Sequence, residues 1–148
     1  MRKTDPDKHN ALAQMLGLLL IIAVVMGTAK WETQRPADAT RISLPISELR
    51  SQAAELQALS DERQAGHIDQ RFLQSHTQQL LEDHLDTRAE LDALQPVPSL
   101  TVVQRDAQDD AGSLEKQLDD VTTGVSTDER DIEALRDRFR GRERELRN

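Results

Sequence analysis

Nineteen consecutive residues near the N-terminus, Ala11 to Ala29 (ALAQMLGLLLIIAVVMGTA), carry no charge, and only Gln14 and Thr28 among them are polar. As a helix rising 1.5 Å per residue, the run reaches roughly 28 Å, about the hydrocarbon thickness of a bilayer. Leu16, Leu18, Leu19, Leu20, Ile21, Ile22, Val24 and Val25 make its apolar centre. Arg2, Lys3 and Lys8 precede it, and Lys30 and Trp31 follow, Trp31 at the depth where interfacial aromatics anchor. These residues predict an uncleaved transmembrane helix over 11–29 behind a short leader at 1–10. A cleaved signal peptide is the rival reading, since Gly27-Thr28-Ala29 is a passable small-residue cleavage site. The leader's acids (Asp5, Asp7) and the reach of the apolar run back to Ala11 favour retention.

Positive charge ties on the two sides: Arg2, Lys3 and Lys8 before the segment, Lys30, Arg35 and Arg41 after it. The leader carries its charge within fewer residues. The expectation is therefore a single-pass protein of the inner (plasma) membrane, N-terminus in the cytoplasm and body periplasmic or otherwise extracytoplasmic, with the opposite orientation left open.

Past the apolar run the composition changes. The whole chain carries −8 in 148 residues, but residues 30–148 alone carry −9, with 16 basic and 25 acidic side chains. Leu, Ile, Val and Phe number 26 among those 119 residues, a fraction too small for a broad globular core. Long amphipathic helices that bury one narrow seam remain open to such a chain. Cysteine is absent, which removes disulfides and thiolate chemistry. Three aromatics (Trp31, Phe72, Phe139) in an acidic chain give no stacking surface for bases, so no nucleic-acid partner is expected.

Residues 30–44 contain Pro36 and no apolar period, and read as a tether to a helical body at 45–148. A first helix is expected near Pro45, with Ile46, Leu49, Ala53 and Leu56 spaced by three and four, and helix formers dominating to Gln95. Pro96-Val97-Pro98 forces a turn at 96–98. Beyond it Ala107, Ala111, Leu114, Leu118, Val121, Val125, Asp128, Ile132, Leu135, Phe139, Arg142 and Leu146 alternate by four and three without a slip. Thr122-Thr123-Gly124 is a poor helical run, and Ser126-Thr127-Asp128-Glu129 has capping-box form, so a new helix or a kink is expected near Thr127. In the first arm the apolar stripe shifts around Gly66, which predicts a stutter, kink or short break; Leu80, Leu81, Leu85, Leu91 and Leu94 then restore a broad apolar face.

The fold class read from this pattern is all-α: a single transmembrane helix followed by an antiparallel coiled-coil hairpin or elongated helical bundle. The hairpin register places Leu49 against Leu146, Leu56 against Phe139, Leu81 against Leu114, His84 against Ala111 and His67 against Asp128. Breaks at both Gly66 and Gly124 would fold the same seams into a four-helix bundle, and a parallel dimer is a third option. The seam comprises Leu49, Leu56, Leu81, Leu114, Leu118, Val121, Val125, Ile132, Leu135, Phe139 and Leu146.

Catalytic and cofactor signals are missing. His9, His67, His76 and His84 never stand three or four apart, no serine sits in a nucleophile elbow, and the glycines are isolated, so neither an enzyme nor a metal or cofactor site is expected. His67 opposite Asp128 is a candidate pH-sensitive polar layer. Residues 55–120 hold fifteen acids and five bases, while six arginines crowd the chain from Arg136 onward. Arg138, Arg140, Arg142 and Arg144 are a candidate contact for anionic groups on a partner, lipid or cell-wall polymer; the plainer reading, and the favoured one, pairs them with neighbouring acids and the helix dipole.

The function expected is a membrane-anchored coiled-coil structural or adaptor protein that bridges or spaces partners in a cell-envelope complex, using its seam for a protein partner or for itself. The alternative is a secreted or membrane-tethered helical sensor or binding domain without catalytic activity. The layout of short leader, one membrane helix and coiled-coil body resembles that of phage inner-membrane spanins and small cell-division coiled-coil proteins. The resemblance is one of layout, without a shared motif.

Overall fold

Aspartates open three of the four described helices. In the computed structural model, which describes residues 36–125 and 128–147, Asp38 accepts a hydrogen bond from the Arg41 amide at 2.9 Å and opens α1 (Ala39–Gln64). Asp69 accepts from the Phe72 amide at 2.7 Å and opens α2 (Gln70–Ala93). A 3₁₀ turn, Pro98–Leu100, leads into α3 (Thr101–Thr122). Asp128 accepts from the Arg130 amide at 3.0 Å ahead of α4 (Glu129–Arg147). Each carboxylate satisfies an amide that the first helical turn leaves without an intrahelical partner.

Two expectations about the first helix are corrected here. It starts at Ala39, six residues before Pro45, so the tether expected over 30–44 ends by Asp38. Ile42 continues the Ile46–Leu49 spacing one turn upstream and is fully buried, so extending the helix adds core contact. Pro45 lies inside the helix rather than at its first position, bringing no N–H to the ladder there.

Both suspected glycine breaks are real turns. Gly66 and Gly124 have φ of +75° and +84°, the left-handed conformation that an L side chain resists. Around Gly66, the amides of Gly66 and His67 donate to the carbonyls of Arg63 (3.1 Å) and Glu62 (3.0 Å). Around Gly124, the amides of Gly124 and Val125 donate to Val121 (3.0 Å) and Asp120 (2.7 Å). The same backbone motif thus closes α1 and α3, collecting carbonyls the helix ends would leave open. α2 ends differently. Gln104, buried in α3, donates its amide Nε2 to the Leu91 and Leu94 carbonyls at 2.7 and 2.9 Å, so a side chain caps that C-terminus from across the proline turn. Ala37 secures the same turn through a one-residue parallel bridge, donating to the Gln95 carbonyl at 2.6 Å.

With each long arm bent at its glycine, the described residues form an all-α four-helix bundle. α1 packs beside α2 and α4, and α3 beside α2 and α4, leaving α1 and α3 across the diagonal. One core runs through it: Ile42, Ile46, Leu49, Ala53 and Leu56 from α1; Leu73, Leu80 and Leu91 from α2; Ala107, Ala111, Leu114, Leu118 and Val121 from α3; Ile132, Leu135, Phe139 and Leu146 from α4. The transmembrane candidate at 11–29, its residues Leu16, Leu18, Leu19, Leu20, Ile21, Ile22, Val24 and Val25, and Trp31 lie outside the described residues. Among the described residues no helix is long and apolar enough to cross a membrane.

Candidate functional site

Nine of the eleven seam residues are buried within this single chain: Leu49, Leu56, Leu114, Leu118, Val121, Ile132, Leu135, Phe139 and Leu146. Their apolar surface is spent on the bundle's own core, so in this fold they do not meet a partner. Val125 departs from the expectation. It follows Gly124, outside any helix, and is 54% exposed because the turn carries it off the stripe. Leu81 is only partly buried, while its neighbour Leu80 takes the core position.

The reason lies in α2. Its core-facing residues are Leu73, Thr77, Leu80, His84, Thr87 and Leu91, spaced by four and three, and half of them are polar. The leucines Leu81 and Leu85 flank this stripe, so counting leucines alone misplaces the helix by one position.

Two of these polar residues, His84 and Thr87, form a connected layer with α1. His84 is fully buried, and its Nδ1 lies 3.0 Å from Gln52 Oε1. Gln52 Nε2 donates to Thr87 Oγ1 at 3.1 Å, and Thr87 donates its hydroxyl to the Asp83 carbonyl at 3.0 Å. Burial pushes the His84 pKa below its usual range; Glu115 and the Ala111 backbone on α3 pull it back up, and Arg88 lowers it further. Arg88 and Glu115 are themselves an ion pair beside the layer. His84 thus lies near Ala111, as the hairpin register expected. The layer expected from His67 and Asp128 does not form: His67 is exposed and bonded to Glu62 at 2.7 Å, and Asp128 is spent on its helix cap.

The arginine-rich helix α4 faces acids of its own chain. Arg138 reaches Asp110 at 2.7 Å, and Arg142 reaches Asp106 at 3.3 Å and Asp110 at 3.8 Å, tying α4 to α3. Arg140 pairs with Asp137 at 3.6 Å, one turn back, while Arg144 is exposed. Arg136 donates to Gln57 of α1 at 2.7 Å, and Arg50 of α1 meets Glu143 of α4 at 2.7 Å. Burial raises the Asp110 pKa, against the lowering by Arg138 and Arg142 and with Asp106 and Asp109 adding repulsion. In this arrangement Arg138 and Arg142 act as inter-helix ties.

Open grooves follow the helix seams. One of about 430 Å³ lies between α1 and α4 beside Leu44, Arg50 and Leu146, and one of about 420 Å³ lies between α2 and α3 beside Leu81, Leu85 and Gly112. Among the described residues no group of three or more His, Asp or Glu could hold a metal ion. His84, the one histidine in the core among the described residues, has no solvent-facing surface with which to meet a substrate.

Fold and site together define an all-helical bundle with a partly polar core. Compared with protein-family models, curated proteins and solved structures, the chain matches none.

Proposed function

We propose that the protein is a membrane-anchored, non-catalytic structural or adaptor subunit of a cell-envelope complex, with its bundle on the extracytoplasmic side. The observation that carries this reading is the uncharged run Ala11–Ala29, only six residues ahead of a bundle that begins at Pro36 and buries its own seam. Because the seam is occupied, partner contact falls to outward side chains, among which Leu44, Phe72, Leu85 and Val102 are the large exposed apolar residues of the helices. Scattered singly they are ordinary surface; a partner would use those that share one helix face.

The test combines extraction and crosslinking on the full chain. Alkaline carbonate washing of cell membranes should leave the protein in the pellet with its N-terminal residues intact. Photo-crosslinkers placed in turn at Leu44, Leu85 and Val102, one on each of three helices, should capture an envelope protein from at least one face, while crosslinkers at buried Leu56 and Leu118 report only contacts within the chain. Recovery in the soluble fraction with Lys30 as the first residue overturns the anchor, and silence from every outward position overturns the adaptor role.

A further inference from the structure

His84 is the one histidine in the core among the described residues, and its hydrogen bonds fix which nitrogen carries the proton. The chain of donors runs in one direction. Thr87 gives its hydroxyl hydrogen to the Asp83 carbonyl, so its oxygen is free to accept from Gln52 Nε2. That orients the Gln52 amide with Oε1 toward the imidazole, and a carbonyl oxygen only accepts. His84 Nδ1 therefore carries the hydrogen, and Nε2 is left as a bare lone pair. Nε2 is buried and finds no hydrogen-bond partner at normal geometry. Buried polar atoms in folded proteins rarely stand alone, and those that do are commonly tied to a switch or a strain.

We infer that His84 is an acid-sensitive latch, whose Nε2 lone pair takes up a proton on acidification and loosens the packing of α2 against α1 and α3. The groups facing it are few. From α1 comes neutral Gln52; from its own helix, Thr87 and the guanidinium of Arg88; from α3, the Ala111 backbone and the Glu115 carboxylate, already engaged by Arg88. α4 packs against α1 and α3 rather than α2. A proton on Nε2 would gain the Ala111 backbone and attraction from Glu115, but that carboxylate is already engaged by Arg88 and burial outweighs both, so the unfolded or opened state takes up the proton more readily than the closed one. The sign follows. Above the ordinary histidine pKa both states are neutral and the latch is closed; below it the opened state gains protons first, and closure weakens as pH falls. The limit for one such group is a tenfold loss in the closing equilibrium per pH unit. His67 and His76 sit on the surface, paired with Glu62 and Glu55, and serve as controls.

The experiment uses the full chain in detergent micelles with ¹⁵N-labelled histidine. Long-range proton–nitrogen correlation at pH 7.5 should show one histidine in the Nδ1–H tautomer, absent in His84→Gln and retained in His67→Gln and His76→Gln. Its titration should lie below the ordinary histidine pKa. Helical melting by circular dichroism should lose more stability between pH 7.5 and 5.5 in the parent than in His84→Gln, whose amide still donates to Gln52 but does not titrate. A Nε2–H tautomer, a titration at or above the ordinary histidine pKa, or equal pH sensitivity of parent and His84→Gln would each overturn the latch. Should His84→Gln fail to fold, the tautomer and titration of the parent decide it alone.

Discussion

Arg50 and Glu143, separated by 93 positions in sequence, meet at 2.7 Å where the first helix passes the last. Glu143 is nearly enclosed, with its side chain 7% exposed, whereas Arg50 keeps about a third of its surface in water. The pair is therefore asymmetric. Arg50→Ala strands a buried carboxylate and should cost about 2 kcal/mol, while Glu143→Gln leaves a solvated guanidinium and should cost under about 1 kcal/mol. Chemical denaturation of the two variants measures the difference, and equal losses would refute the asymmetry.

Glycine substitutions should split by sign. Gly66→Ala and Gly124→Ala place an L side chain at positive φ and should each destabilise by about 1 kcal/mol. At Gly124 the nearest atom to a new Cβ is the flexible Gln74 Nε2 at 3.4 Å, so backbone strain rather than crowding carries the cost. Gly112 and Gly141 lie within helices, and a Cβ there meets nothing within 4 Å. Gly112→Ala and Gly141→Ala should stabilise by about 0.5–1 kcal/mol each, read as shifts in melting temperature.

Gln104 should prove costlier to replace than its class suggests. Its amide is the cap for two carbonyls at the end of α2, and Gln104→Leu keeps the volume while removing both bonds. A loss of about 1–3 kcal/mol is expected. Amide hydrogen exchange should quicken around 91–97 more than elsewhere in the bundle, which separates loss of the cap from a general loosening.

Asp110 tests the arginine ties. Burial holds its pKa above the ordinary carboxylate range despite Arg138 and Arg142. With a folded pKa above the unfolded one, the native state holds the proton longer, and ionisation costs stability as pH rises through the folded value. Asp110→Asn escapes that loss, so its stability relative to the parent should improve from pH 4 upward. At pH 7 the variant should lie within about 1 kcal/mol of the parent. A large deficit at neutral pH would show that the ion pairs outweigh the burial of the charge.

Much of this architecture is legible in local chemistry. The proline turn, the Gly66 break and the four-three spacing from Ala107 to Leu146 each follow from residues close in sequence, and the core keeps one phase across the α3–α4 break. The exceptions at Val125 and Asp128 fall inside that break, where helical phase no longer applies. The start of α1 is legible as well: Asp38 ahead of Ala39 is a cap signal, whereas Pro45 lies within the helix.

What the sequence determined by itself is the helical content, the places where helices stop, and an apolar stripe too thin for a broad globular core, because periodicity, proline and glycine act through bonds between near neighbours. What only the tertiary structure decided is which polar residues go inside. His84, Thr87 and Gln104 look like surface residues until Gln52 and the open end of α2 arrive beside them. The free energy of burying a polar group depends on a partner that no local pattern announces. The arginines of α4 follow the same logic, since Asp106 and Asp110 become their counterions only once α3 and α4 pack side by side.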